Sequence, residues 1–170
     1  MTYDYDKLYG STPQALGQPT QVFRDFFDQL GGGPVRVLDV GCGQGRDALF
    51  IAALGHSVVG VDLSANGVRD LINAARAENL QIQGIVADIV TYVPPGEFEV
   101  ILIDRTLHML SKTERLAVLE RLICHVADGG WVLIADERSN LPGFRDVFAA
   151  SAADWTTELD MRGYLFLRKS

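Results

Sequence analysis

The chain has 170 residues, of which 48% are hydrophobic and 22% charged, which is enough for one sizeable core but short for two full domains. Its formal net charge is −7 and no cluster of Lys and Arg stands out, which argues against nonspecific binding to nucleic acid or to an anionic membrane. The apolar runs are far shorter than the roughly 20 residues that span a bilayer, and the first residues lack the pattern of a secretory signal. We therefore predict a single cytoplasmic domain over residues 1–170. Cys42 and Cys124 lack metal-ligand spacing, so we expect two thiols and no metal site.

Short apolar, β-branched runs alternate with helical patterns along most of the chain. A helix is predicted near 20–30, and five strands follow at 35–40, 57–61, 82–86, 98–103 and 131–135. Between them, helices are predicted at 47–54, at 64–79 behind a Ser64 cap, and from the Ser111–Glu114 capping box through Val126 to a stop at Gly129-Gly130. A helix near 144–153 and a hairpin at 156–168 complete the pattern. The fold predicted is α/β: a doubly wound, Rossmann-like sheet of five parallel strands plus a C-terminal antiparallel hairpin, with helices on both faces.

The strongest chemical signal is the run VLDVGCGQG at 37–45, a strand that leads into a Gly-x-Gly-x-Gly loop and then a helix. Glycines there let the backbone turn tightly and approach a ligand. Asp62 ends the next predicted strand, where a carboxylate can accept hydrogen bonds from ribose hydroxyls. Together these features predict nucleoside binding. Arg46 stands where a dinucleotide fingerprint needs its third glycine, so a pyrophosphate fits poorly.

In these stretches the sequence resembles the class I S-adenosylmethionine-dependent methyltransferases. The resemblance lies in VLDVGCGQGRDALFIAALGHSVVGVDLS, VADIV and FEVILIDRTLHML, and it covers roughly 35–135, the predicted cofactor-binding core. It is strongest to the small tellurite-resistance and thiopurine-type branch, where a GCGxGRD loop and a GVDLS strand end are usual.

The resemblance implies that S-adenosylmethionine is the cofactor and assigns residues to its parts. Gly41, Cys42 and Gly43 would pass the methionine part, Asp39 would orient the amino end, and Asp62 would hold the ribose. Asp39 also has a plainer interpretation, in which it only braces the glycine loop.

Five further residues complete the cofactor prediction. Leu63 would pack beside the adenine, the Asp88 carboxylate would accept from the adenine amino group, and the Ile89 amide would meet a ring nitrogen. Arg46 would either brace the loop or reach the cofactor, and Asp104 would also contact it. For Asp88 the alternative is a plain turn residue.

The acceptor side is predicted from residues that follow the fourth strand, at the carboxyl edge where ligands bind in open parallel sheets. Asp104 and His108 are the candidates for a catalytic base, although His108 could equally be a structural histidine at a helix start. Arg105, Tyr5 and Tyr9 are the candidates for acceptor binding. Two interpretations of residues 1–19 stay open, a lid over the site and a flexible tail.

Methyl transfer from a sulfonium is an in-line displacement, so the protein mainly holds the donor and acceptor together and excludes water. A thiolate acceptor needs no base, whereas a hydroxyl or an ammonium group must lose a proton. The compact core favours a small-molecule acceptor over a macromolecule. Two alternatives stay open: a non-catalytic protein that binds S-adenosylmethionine, and a nicotinamide-dependent oxidoreductase.

Overall fold

The computed structural model describes residues 4–170; Met1, Thr2 and Tyr3, which belong to the predicted 1–19 segment, lie outside the described residues. The chain divides into two compact units between Ala87 and Asp88. The prediction of a single domain over 1–170 stays a prediction. Within residues 4–170, no helix combines the length and the apolar character that crossing a membrane requires.

Over its described residues, 4–87, the first unit contains three parallel strands in the order β3-β2-β1 together with four helices. Its elements in chain order are α1 (Tyr5–Ser11), α2 (Gln21–Gln29), β1 (Arg36–Val40), α3 (Arg46–Ala53), β2 (Ser57–Asp62), α4 (Ala65–Ala77) and β3 (Ile82–Val86). Leu38 pairs with Val59, and Val61 pairs with Ile85. The apolar side chains of β1 and β2 are buried, as expected for strands covered on both faces. The predicted Ser64 cap is confirmed, since its hydroxyl accepts a hydrogen bond from the Gly67 amide.

The second unit contains four strands in the order β4-β5-β7-β6. Its elements are β4 (Phe98–Asp104), a 3₁₀ turn (Leu107–Met109), α5 (Lys112–Ile123), β5 (Val126–Ala135), α6 (Leu141–Ala150), β6 (Trp155–Met161) and β7 (Tyr164–Lys169). Strands β4 and β5 are parallel, whereas β7 is antiparallel to both β5 and β6. Arg162 and Gly163 both have positive φ, 53° and 93°, which suits a two-residue turn between β6 and β7.

Each unit thus has an α/β arrangement: the strands of the first are parallel, and the second adds an antiparallel hairpin to a parallel pair at the C-terminal end. This confirms the predicted fold class. The predicted capping box is also confirmed, because the Ser111 hydroxyl accepts from the Glu114 amide while the Glu114 carboxylate accepts from the Ser111 amide.

Three boundaries or elements differ from the prediction. Helix α5 does not continue to Gly129-Gly130 but ends at Ile123, and Val126 begins β5 instead. Gly130 lies inside this strand at a close backbone approach, since an added Cβ would be 2.8 Å from the Ala127 carbonyl oxygen. These glycines therefore accommodate an irregular strand pairing and do not stop a helix.

The other two differences concern helices. Helix α6 starts earlier than predicted, at Leu141, because Pro142 is compatible with a first helical turn. The stretch around Tyr5 and Tyr9, for which the sequence predicts no helix, forms α1, whose first turn is capped by the Asp4 carboxylate. A helix this short has too few turns to produce a recognisable apolar period.

Candidate functional site

The loop between β1 and α3 is a succession of tight turns. Gly41, Gly43 and Gly45 all have positive φ, at 77°, 50° and 88°. The Gly41 amide donates to the Val61 carbonyl at 2.8 Å, and the Gly45 amide donates to the Cys42 carbonyl at 2.8 Å. Glycine is the residue that adopts these angles without steric cost, so the predicted loop is formed by backbone geometry that its sequence specifies.

Asp62 joins this loop to the end of β2. Its Oδ2 accepts the Gly43 amide at 2.8 Å, and its Oδ1 accepts the Ser64 amide at 2.7 Å. An ionised carboxylate offers about four acceptor positions, so ribose hydroxyls can donate to the same two oxygens. The adjacent Leu63 side chain is 71% exposed, which gives an apolar surface suited to a nucleobase. The two carboxylate oxygens and this apolar surface together fit a nucleoside.

The other predicted cofactor residues of this unit lie on or beside the loop. Asp39 is buried in β1, in register with Gly60. Cys42 is buried, and burial raises the pKa of its thiol well above the ordinary value, so the group stays protonated and unreactive. Arg46 donates from Nε and Nη2 to Oδ2 of Asp47 at 3.1 and 2.9 Å. Its guanidinium therefore braces the start of α3, and its contact with a cofactor stays a prediction.

Helix α1 lies against the glycine loop. Tyr9 is 6% exposed, and a Cβ added to Gly43 would be 2.7 Å from the Tyr9 hydroxyl oxygen. Burial raises the pKa of the Tyr9 phenol, so Tyr9 is neutral and cannot serve as a base near pH 7. The Tyr5 ring lies 5.9 Å from that of Tyr9. Acceptor binding by Tyr5 and Tyr9 stays a prediction, but Tyr9 clearly contacts the loop expected to hold the cofactor.

In the second unit, Asp88 begins a turn that α5 supports. Its Oδ1 accepts the Val90 amide at 2.9 Å, which is the geometry of an Asx turn. The Arg121 guanidinium donates to the carbonyls of Ile89, Val90 and Tyr92 at 2.6, 2.9 and 2.9 Å. The Asp88 carboxylate is thus engaged as a turn residue, and its predicted contact with adenine stays a prediction.

The residues after β4 are held by β5 and the loop that follows it. Arg105 has φ 54°, unusual for a residue with a side chain, and its amide donates to the Ala135 carbonyl at 2.8 Å. The Asp104 carboxylate is almost completely buried, 3.9 Å from the Arg105 guanidinium, which is itself 72% exposed. The His108 amide donates to Oδ2 of Asp136 at 3.0 Å. The structure thus brings Asp104, Arg105 and His108 into one short segment, whose roles toward an acceptor stay predictions.

Asp136 lies directly after β5, and its carboxylate accepts several hydrogen bonds. Besides the His108 amide, its carboxylate accepts from the Glu137 amide at 2.8 Å and from Asn140 Nδ2 at 2.7 Å. Its own amide donates to the Gly163 carbonyl at 2.9 Å. Asp136 therefore connects the His108 turn, the start of α6 and the β6–β7 turn.

The two remaining histidines each contact a backbone group. His56 is buried, its Nδ1 accepts the Val35 amide at 3.1 Å, and burial lowers its pKa. The Nδ1 of His125 lies 2.8 Å from the Gly96 carbonyl oxygen.

Sequence reasoning missed the supporting contacts that four residues make in these segments. Gln44 and Asp6 connect α1 to the glycine loop and to α4, Arg121 supports the Asp88 turn, and Asp136 supports the His108 turn. All four bind residues at least 28 positions away in the chain, so no local pattern marks them. The one available signal was Gln44, a polar side chain between the second and third glycines of the loop.

A family model described as "Methyltransferase domain" matches residues 37–130, more than half of the chain. A ubiquinone biosynthesis O-methyltransferase from Burkholderia multivorans is 32% identical over 131 residues, which are 75% of this chain and 54% of the relative. A probable S-adenosyl-L-methionine-dependent methyltransferase TehB from Haemophilus influenzae is 30% identical over 101 residues, 59% of this chain and 35% of the relative. The chain thus spans about half the length, or less, of these relatives.

Solved structures share the fold. TehB from Haemophilus influenzae superposes with a TM-score of 0.75 at 21% identity, over 98% of this chain and 66% of TehB. A magnesium protoporphyrin IX methyltransferase from Synechocystis PCC 6803, crystallised with bound SAM, gives a TM-score of 0.74 at 16% identity, over 99% of this chain and 98% of that enzyme. At these identities the likeness concerns the fold alone.

Proposed function

Because the chain belongs to the methyltransferase domain family, we propose that the protein transfers a methyl group from S-adenosylmethionine to a small-molecule acceptor. The predicted family is confirmed, and the predicted enzyme class and cofactor are supported by the name of the TehB relative. The acceptor, the atom that is methylated and the individual site residues belong to the proposal.

The observation that carries the proposal is the Asp62 carboxylate, whose two oxygens are oriented by the Gly43 and Ser64 amides. Amides that donate to the same carboxylate hold it fixed, so the ribose hydroxyls meet an acceptor that needs no rearrangement. Bound S-adenosylmethionine supplies a methyl group activated by its sulfonium. Leu63 contacts the base, and Asp39, Gly41, Cys42, Gly43 and Arg46 line the methionine side in this proposal.

Asp88, Ile89 and Asp104 complete the cofactor contacts in the proposal, and Asp104, Arg105 and His108 face the acceptor. The exposed Arg105 guanidinium suits an acceptor that carries an oxyanion or a carboxylate. The backbone of His108 is anchored by Asp136, which fixes the segment that would present the imidazole as a base. A thiolate acceptor would need no base.

A small-molecule acceptor is supported by what the relatives are named for, ubiquinone biosynthesis in one case. The net charge of −7 supports it further, because a nucleic acid would be repelled. The protein is proposed to act in the cytoplasm, without nucleic acid or membrane as partner.

The first experiment is calorimetric titration of the full chain with S-adenosylhomocysteine and, separately, with reduced nicotinamide dinucleotide. We expect binding of the first ligand alone, and Asp62→Ala to weaken it by about 1.5 to 3 kcal/mol, roughly 10- to 150-fold. The matched control is Asp160→Ala, which removes an exposed carboxylate paired with Arg145. Binding of the dinucleotide, or of neither ligand, would refute the proposal.

Turnover is then measured as S-adenosylhomocysteine released with thiol, phenol, amine and oxyanion acceptors. Release with at least one class supports an enzyme, and the class identifies whether a proton must be removed. Normal cofactor binding without release under any acceptor would instead support the non-catalytic binding protein.

A further inference from the structure

We propose that Gln44 and Asp6 are positioning residues that clamp α1 over the glycine loop and thereby retain the bound cofactor. The proposal rests on the placement of the cofactor at that loop. It concerns two side chains to which neither the glycines of the motif nor the Asp62 site assigns a role.

The Gln44 side chain holds the C-terminal end of α1. Its Nε2 lies 3.3 Å from the Tyr9 carbonyl oxygen and 3.0 Å from that of Thr12, and it donates to Oδ2 of Asp70 at 3.0 Å. Its Oε1 accepts the Ala15 amide at 2.9 Å. The last carbonyls of a helix have no partner within the helix, so an amide from the glycine loop supplies what α1 itself lacks.

The Asp6 side chain holds the other end of α1, against the first turn of α4. Its Oδ1 accepts from the Ser64 hydroxyl at 2.6 Å and from the Asn66 amide at 2.9 Å, and its Oδ2 accepts from Asn66 Nδ2 at 2.9 Å. The first amides of a helix are equally without partners, and a carboxylate there also interacts favourably with the helix dipole. Each end of the clamp therefore gives a hydrogen-bond partner to backbone groups at a helix end that would otherwise bind water.

Both ends of the clamp are linked to Asp62, through residues whose amides donate to its carboxylate. At one end, Ser64 donates its hydroxyl to Asp6 and its amide to Asp62. At the other, Gln44 follows Gly43, whose amide donates to Asp62. Between the two ends, Tyr9 packs against Gly43 and Gly67. Any displacement of α1 consequently disturbs the carboxylate proposed to hold the ribose.

A clamp of this kind acts mainly on the rate at which ligand leaves, because α1 must lift before the loop opens. Seven residues with one buried tyrosine give α1 little stability of its own. Its attachment therefore depends on the polar bonds of Gln44 and Asp6. Loss of either end is expected to raise the dissociation rate more than it lowers the association rate.

The test uses the full chain and tritiated S-adenosylmethionine, with dissociation followed after a chase of unlabelled ligand. Gln44→Glu preserves size but replaces the amide donor by a carboxylate that faces two carbonyls and Asp70. Asp6→Ala removes the other end. Each is expected to raise the dissociation rate about tenfold. Gln44→Lys, which keeps a donor, should restore part of the retention.

Gln21→Ala and Asp25→Ala are the matched controls, since these exposed residues of α2 share one hydrogen bond with each other. They should leave the dissociation rate unchanged. Hydrogen exchange of the α1 amides reports whether the helix lifts, and thermal unfolding reports whether the rest of the fold survives.

The outcomes separate the two proposals. If Asp62→Ala leaves the affinity for the cofactor unchanged, the cofactor binds elsewhere and its proposed placement at the glycine loop is wrong. If Asp62→Ala weakens binding while folded Gln44→Glu and Asp6→Ala proteins release ligand at the wild-type rate, the clamp alone is wrong. Equal losses in Gln44→Lys and Gln44→Glu would also contradict it, because donation to α1 would then not matter.

Discussion

The Asp62 carboxylate accepts the Gly43 backbone amide at 2.8 Å, which joins the end of one strand to the middle of the glycine loop. A side chain proposed to bind a ligand is therefore also a structural element of the loop beside it. Binding and folding are coupled at this residue, and substitutions there are expected to affect both.

Asp62→Asn should destabilise the fold as well as weaken cofactor binding. The amide retains one acceptor oxygen, but its NH₂ group faces either the Gly43 or the Ser64 amide, so one buried donor loses its partner. We expect the free energy of unfolding to fall by about 1 to 3 kcal/mol, measured by urea denaturation. An Asn variant as stable as the wild type would mean that the two amides find other acceptors.

Gly43→Ala should be rescued in part by a change in α1. The new Cβ would lie 2.7 Å from the Tyr9 hydroxyl oxygen, and φ of 50° disfavours any side chain. We expect a loss of about 1 to 3 kcal/mol in unfolding free energy. Tyr9→Phe removes the clashing oxygen, so the double variant should lose less than the sum of the single losses. Strict additivity in this cycle would contradict the packing described.

His56 should make stability depend on pH between 7.5 and 5.5. Burial lowers the pKa of His56 in the folded chain, whereas the unfolded chain binds the proton near 6.5. Below that pH the unfolded state binds more protons, so the free energy of unfolding should decrease as pH falls through 6.5 toward the folded pKa. His56→Asn, which offers an oxygen to the Val35 amide, should flatten that slope in urea denaturation at the two pH values. A slope identical to that of the wild type would exclude His56 as its source.

Asp136→Ala should affect catalysis more than cofactor binding. It removes the acceptor of the His108 and Glu137 amides and of Asn140, so the turn that presents His108 loosens. With an acceptor identified, we expect the turnover rate to drop about tenfold or more while the Kd for S-adenosylhomocysteine changes less than about threefold. The control is Asp128→Ala, an exposed partner of Lys169. A rise in Kd with unchanged turnover would place Asp136 on the cofactor side instead.

The elements that were predicted well are those that depend on neighbouring residues. The five parallel strands follow from apolar runs, the start of α5 from Ser111 and Glu114, and the last hairpin from Arg162-Gly163, because strand burial, caps and turns are local chemistry. The predicted end of α5 was wrong because it depends on a distant contact. The helical period continues through Val126, but pairing of Val126 with Phe98 of β4 makes it a strand residue. Local propensity is overridden where such a distant partner exists.

For the site, the sequence by itself determined the positions of the three glycines and of Asp62. A sharp strand-to-helix turn requires glycine, and an acid that ends the neighbouring strand lies beside that turn. Only the tertiary structure decided what surrounds them. Asn66 and Asp6 are 60 positions apart, and Arg121 reaches Ile89 across 32. The docking of α1 through Asp6 and Gln44 depends on hydrogen bonds that form only after the strands pair and α4 packs, because that assembly brings the unpaired groups at the helix ends together.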